Sequence, residues 1–232
     1  MQKIYIHFGC HKTGTTSLQR FFAKNTYRLR HFDFDYMPIP MGEKRKAYQG
    51  AHGRHVELGE CAVRYPVTII ANPKQAGTRG LSRKGLIKQT KDNIAEFLDK
   101  STYNNFIFSD EGLDYIRTQK EIDDLVYLFP SDCELVPILT LREKEDWIES
   151  CMAYWEEEGI STYVEESSLR VPQRPMVSWM FEVEDLTKLL EENFPETIFL
   201  QYSPDMIRVI LDALGLQSIK VEDELYLNKR KT

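Results

Sequence analysis

The chain has 232 residues, 42% hydrophobic and 12% aromatic, and its 36 acidic and 30 basic side chains give a formal net charge of −6. That length suits one large α/β domain, or at most two small ones. The acidic balance excludes the broad basic footprint of a nucleic-acid reader, though a local basic pocket for a small anion is still allowed. The first residues run straight into a strand-like pattern without the n- and h-regions of a signal peptide. No apolar run approaches the roughly 20 residues of a membrane span. The cysteines Cys10, Cys61, Cys133 and Cys151 are scattered, whereas metal and redox motifs place them in close pairs. These features point to a cytoplasmic protein with reduced thiols.

Residues 3–9 alternate and are rich in Ile, Tyr and Phe, which predicts a strand. A Gly-containing turn follows, and Leu18, Phe21 and Phe22 then recur at helical spacing over residues 15–24. Residues 26–80 hold several Gly and Pro, many basic residues, and His31, His52 and His55. They read as an irregular insertion or flap, with Val67–Ile70 the strand-like part. The flap lies near a binding cleft if Arg79 and Arg83 face a ligand; a solvated surface loop is the equal alternative. A helix is predicted over 83–100, a strand over 105–109 and a helix over about 119–129. Residues 134–141 form a strand, in which Pro137 removes one ladder donor. A helix over about 143–157, a loop over 161–175 and a helix over 177–193 follow. The last units are strand 197–201 and helix 204–214, closed by Gly215. Strands alternating with helices predict a mostly parallel sheet covered on both faces. The whole chain reads as a single domain.

Gly9-Cys10-His11-Lys12-Thr13-Gly14-Thr15-Thr16 has the glycine spacing of a Walker A loop and sits between strand and helix, the context such a loop needs. Its glycines let successive amides face one anion, and the following helix adds its positive end. Thr15, Thr16 and Ser17 add hydroxyls. The lysine is displaced: a nucleoside-triphosphate loop carries Lys after the second Gly, where this chain has Thr15, and the lysine stands inside the loop as Lys12. No strand ending in a Walker B aspartate stands out. This pattern suits a smaller, metal-free anion better than a magnesium triphosphate.

The string from Lys12 to Gln19 resembles the 5′-phosphosulfate loop of the sulfotransferase superfamily, above all its bacterial and carbohydrate members, which use 3′-phosphoadenosine 5′-phosphosulfate (PAPS). That family binds the 3′-phosphate through an Arg at a strand end and a Ser eight residues later. Arg142 and Ser150 have that separation, with Ser150 about two turns into the next helix. Arg offers a planar fork to phosphate oxygens. The alternative role for Arg142 is a surface ion pair with Glu145 or Asp146. A third match is Phe106-Ile-Phe-Ser-Asp-Glu-Gly112, a strand ending in Ser and Glu beside the sulfuryl site. The segment Asn228-Lys-Arg-Lys231 faintly resembles a basic clamp for the 3′-phosphate, and a plain basic tail is the alternative for Arg230 and Lys231.

The resemblance implies a P-loop-type three-layer α/β/α fold and a PAPS-dependent enzyme that needs no metal. It implies a nucleotide site made of His11, Lys12, Thr13, Gly14, Thr15, Thr16, Ser17, Arg142 and Ser150. Lys12 is implied as the catalytic cation at the bridging oxygen and Glu111 as the base that deprotonates a hydroxyl or amine acceptor, with Asp110, His11 and His7 in reserve. A carbohydrate or small metabolite is the favoured acceptor. Tyr154, Trp155 and Tyr163 are candidates to stack on it or, equally, core residues. Two other classes remain open: a P-loop kinase or NTPase, and a non-catalytic nucleotide-binding module.

Overall fold

The computed structural model describes residues 1–10, 12–37, 55, 57–63, 82–158 (side chains to 153) and 181–221. Strand β1 (Lys3–Phe8) leads into helix α1 (Thr15–Arg30), then β2 (Phe34–Tyr36) and α2 (Glu57–Ala62). Helix α3 (Arg83–Lys100), β3 (Asn105–Asp110), a 3₁₀ turn (Glu111–Tyr115) and α4 (Gln119–Val126) follow. The remaining elements are β4 (Glu134–Leu141), α5 (Lys144–Glu158), α6 (Val183–Asn193), β5 (Ile198–Gln201) and α7 (Met206–Ala213).

The five strands form one sheet in the order β2-β3-β1-β4-β5, and every pairing is parallel. Strand alternation divides the core between two faces. Ile4, Ile6, Phe8, Phe106, Phe108 and Leu139 point to one face, against Leu58 of α2, Ile94 and Leu98 of α3, Ile122 and Leu125 of α4, Trp147 of α5 and Leu186 and Leu190 of α6. Ile107 and Ile138 point to the other, against Leu18, Phe21 and Phe22 of α1 and Ile207, Ile210 and Leu211 of α7. The fold is the expected three-layer α/β/α sandwich with its sheet covered on both faces.

Pro137 sits in the central part of this sheet, yet the β4–β5 ladder begins only at Ile138. At Pro137 itself β4 is paired with β1 alone, opposite Ile6. The missing amide therefore falls where one side of the strand needs no donor.

Part of the stretch read as irregular is regular. Helix α1 continues to Arg30, and Phe34–Tyr36 adds an edge strand paired with Asn105–Ile107. A three-residue strand is too short for alternation to show, and its central residue is a charged one. Asp35 is buried all the same, because the Arg30 guanidinium grips both its oxygens, Nε to Oδ1 at 3.1 Å and Nη2 to Oδ2 at 3.2 Å. Residues 57–62 form α2, again too short for a helical period to declare itself. Helix α6 begins at Val183 rather than 177, with Phe181 and Glu182 outside it, and α7 begins at Met206 rather than 204. His52, Val67–Ile70, Arg79, Tyr163, the 161–175 loop and the Asn228–Lys231 tail lie outside the described residues.

Candidate active site

The chain enters the sheet at β1, builds β2 and β3 to one side of it, then crosses to build β4 and β5 on the other. Such a reversal opens a crevice beyond the carboxyl ends of the adjacent central strands, here β1 and β4, where open parallel sheets bind their ligands. The loop of residues 9–14 leaves β1 at this point, and Arg142 leaves β4.

The loop is shaped by a few short contacts. Cys10 amide bonds to Phe8 O at 3.1 Å, and Thr13 gives both its amide (3.3 Å) and its hydroxyl (2.5 Å) to Cys10 O. Thr13 thus closes the turn with both its amide and its hydroxyl. Lys12 adopts a left-handed backbone at φ 63°, a conformation a non-glycine residue holds only at a cost of about 1–2 kcal/mol. Gly14 at φ 81° forms the N-cap of α1, where a side chain would be strained. At Gly9 the obstacle is space: a Cβ there would stand 2.5 Å from Thr15 Cγ2. The first intrahelical bond runs from Leu18 amide to Gly14 O, and helix geometry gives the amides before it no carbonyl of their own helix. Thr15 and Ser17 are buried and Thr16 half-buried. His11 lies outside the described residues.

Arg142 bridges the crevice. Its Nη1 donates to Lys12 O at 2.8 Å, holding the strained loop residue from the far side. Its guanidinium carbon lies 4.5 Å from the centre of the Tyr202 ring, and its buried Nε has no hydrogen-bond partner among the described residues. The alternative role, a surface ion pair with Glu145 or Asp146, gives way to these contacts. Ser150 is half-buried on α5, one residue before Cys151. Burial and the charge of Asp114 push the Cys151 thiol up to about 12, while Lys12 and Arg142 pull the other way.

The third wall comes from β3. Gly9 amide bonds to Asp110 O at 3.3 Å, tying the loop's first residue to the strand that presents Glu111. Asp110 is fully buried, and its two oxygens accept the amides of Gly112 (3.0 Å) and Gly59 (2.7 Å). It fixes the backbone on either side of Glu111 and anchors α2 over the 3₁₀ turn. That arrangement removes Asp110 from the reserve bases. Glu111 itself is half-buried and accepts a hydrogen bond from the Thr15 hydroxyl.

His7 also leaves the reserve. It is 1% exposed, its Nδ1 lies 2.9 Å from Ser109 Oγ, and desolvation lowers its pKa to about 4. Gln19 Nε2 donates to the same Ser109 Oγ at 3.2 Å. His55 completes this knot: its amide donates to Ser109 O and its Nδ1 accepts the Ser109 amide, both at 2.9 Å, while its Nε2 bonds to Met37 O at 3.0 Å. His55 thereby extends the edge pairing past Tyr36, where β2 stops.

The structure thus ties Lys12 to Arg142 and Thr15 to Glu111 beyond the carboxyl ends of the central strands, while Ser150 stands on α5, the helix that follows β4. Sequence reasoning missed Tyr202. Its only signal is a place directly after a predicted strand, which matters once β5 is known to lie beside β4.

A central parallel sheet, helices on both faces and a glycine loop between β1 and α1 define the P-loop class of α/β folds. Within that class, the chain superposes on a sulfotransferase from Alicyclobacillus acidocaldarius with a TM-score of 0.52 and 14% sequence identity, over 97% of this chain and 88% of that one. No family model matches the chain, and a search of curated proteins finds no match. At this identity the likeness shows a shared sulfotransferase fold.

Proposed function

We propose that the protein is a PAPS-dependent sulfotransferase, moving a sulfuryl group to a hydroxyl or amine and releasing 3′-phosphoadenosine 5′-phosphate. The observation that carries this reading is the Arg142–Lys12 link. It puts a second cationic group, with a buried Nε still lacking an acceptor, across the crevice from the loop. A donor with phosphates at both its 5′ and 3′ ends suits such a pair.

The donor supplies an activated sulfuryl group on a good leaving group. The backbone amides of residues 14–16 and the hydroxyl of Thr16 hold its 5′-phosphate, the Thr13 amide being spent on Cys10 O. Arg142 and Ser150 hold its 3′-phosphate, the arginine through its free Nε edge. Lys12 stabilises negative charge as it grows on the oxygen that bridges phosphorus and sulfur. Glu111 takes the acceptor's proton as the acceptor oxygen or nitrogen bonds to sulfur and the bridging S–O bond breaks. The reading needs no metal. A carbohydrate or small metabolite remains the favoured acceptor.

Calorimetric titration tests the assignment. The protein should bind 3′-phosphoadenosine 5′-phosphate without metal and bind ATP with Mg²⁺ far more weakly. Tight binding of ATP with Mg²⁺ and none of the bisphosphate would make it a P-loop kinase or NTPase.

A further inference from the structure

Thr15 and Glu111 come from opposite walls of the cleft, 96 positions apart, and meet in a direct hydrogen bond, hydroxyl to carboxylate. Thr15 is the first residue of α1 and is 3% exposed, so its side chain is fixed in place by the helix and the core. A threonine hydroxyl has one proton to donate. That proton lies at the mouth of an anion loop and is directed at a carboxylate. A bound phosphate oxygen and Glu111 Oε1 cannot both accept it, and two anions at one donor repel each other.

We propose that Glu111 occupies the Thr15 hydroxyl while the loop is empty and gives it up when a phosphate anion binds. Thr15 then passes from carboxylate to phosphate, and Glu111 is released toward the acceptor side of the cleft only when a donor is in place. Donor binding thus arms the base, and Glu111 lowers donor affinity in exchange. Thr15 acts here as a positioning residue for Glu111. The role assigned to Glu111 rests on the sulfotransferase reading, but the competition for the hydroxyl requires only that the loop bind an anion.

The test is a metal-free titration of wild type, Glu111→Gln, Thr15→Ser, Thr15→Val and the Glu111→Gln/Thr15→Val double variant with two ligands, 3′-phosphoadenosine 5′-phosphate and pyrophosphate. Glu111→Gln should bind both about tenfold tighter, equivalent to about 1.4 kcal/mol. Thr15→Ser keeps the hydroxyl and, as the conservative variant, should reverse whatever change in affinity Thr15→Val produces. In the Thr15→Val background the Glu111→Gln gain should shrink, because the competition for the hydroxyl is already gone and only repulsion between the two anions is left to relieve. Structural damage would weaken binding, so tightening is a signature that a merely structural role does not produce. Unchanged or weaker binding by Glu111→Gln overturns the proposal, as does an equal gain in the Thr15→Val background, which would make the effect one of general charge. If the bisphosphate fails to bind any variant while pyrophosphate still shows the gain, the sulfotransferase reading falls and the competition stands. If neither ligand binds any of the proteins, both fall.

Discussion

On the β1 and β4 side of the cleft, the loop carries Lys12 at a positive φ, and Arg142 keeps a buried Nε without a partner. On the β3 side, Ser109 and Asp110 give their polar atoms to buried rings and backbone amides. The first wall holds strain and, among the described residues, leaves that one Nε donor available, as a surface built to receive an anion requires. The second is a saturated scaffold whose product is the position of one side chain, Glu111. The contrast separates residues whose loss should damage chemistry from residues whose loss should damage the fold.

Lys12→Ala gives the largest expected effect. Removing a cation from the reacting oxygen should lower kcat by about 10³-fold, roughly 4 kcal/mol, while much of the bisphosphate affinity and the thermal midpoint are kept. A steady-state assay of 3′-phosphoadenosine 5′-phosphate release checks it. Wild-type rates in this variant would overturn the role assigned to Lys12.

Asp110→Ala probes the scaffold. It strips acceptors from the buried amides of Gly59 and Gly112, and each such loss costs about 1–3 kcal/mol. Denaturant unfolding should register most of that loss. A variant as stable as wild type, with activity lost, would move Asp110 into the chemistry.

The same wall should be acid-sensitive. Desolvation lowers His7 and His55 to about 4, against an ordinary 6.5. Between those values the unfolded chain binds protons that the folded chain does not, so stability is complete above the ordinary value and falls as pH drops toward 4. With one pKa unit worth about 1.4 kcal/mol, each ring contributes on the order of 3 kcal/mol to that loss. Thermal midpoints measured across this range should fall less steeply in His7→Gln.

Arg142→Lys gives the smallest of these effects. It keeps the charge but loses the planar fork and the stacking on Tyr202. Bisphosphate affinity should fall about tenfold, or about 1.4 kcal/mol, with little change in stability. An equal loss of affinity for adenosine 5′-phosphate would place the defect in the Lys12 carbonyl contact rather than at a 3′-phosphate.

Most of the sheet was legible in the sequence because its signals are local. The strands around Ile4, Phe106 and Leu139 and the helix after Gly14 show regular apolar spacing, and the loop carries its own glycine pattern. Strand β2 was not legible, because Asp35 reads as a surface charge until Arg30 is seen gripping it. Cleft residues on predicted strand ends, Arg142 and Glu111, could be picked out. His55, Gly59 and Tyr202 could not, because each acts through a partner at least 50 positions away, at Ser109, Asp110 and Arg142. The Thr15–Glu111 contact was hidden for the same reason.

The most direct test of the central claim, one cleft that binds two phosphates, is a crystal structure with 3′-phosphoadenosine 5′-phosphate. The account predicts the 5′-phosphate on the amides of residues 14–16 and the 3′-phosphate on Arg142 and Ser150. A 3′-phosphate lying away from Arg142, or a nucleotide bound outside the β1/β4 crevice, would contradict it.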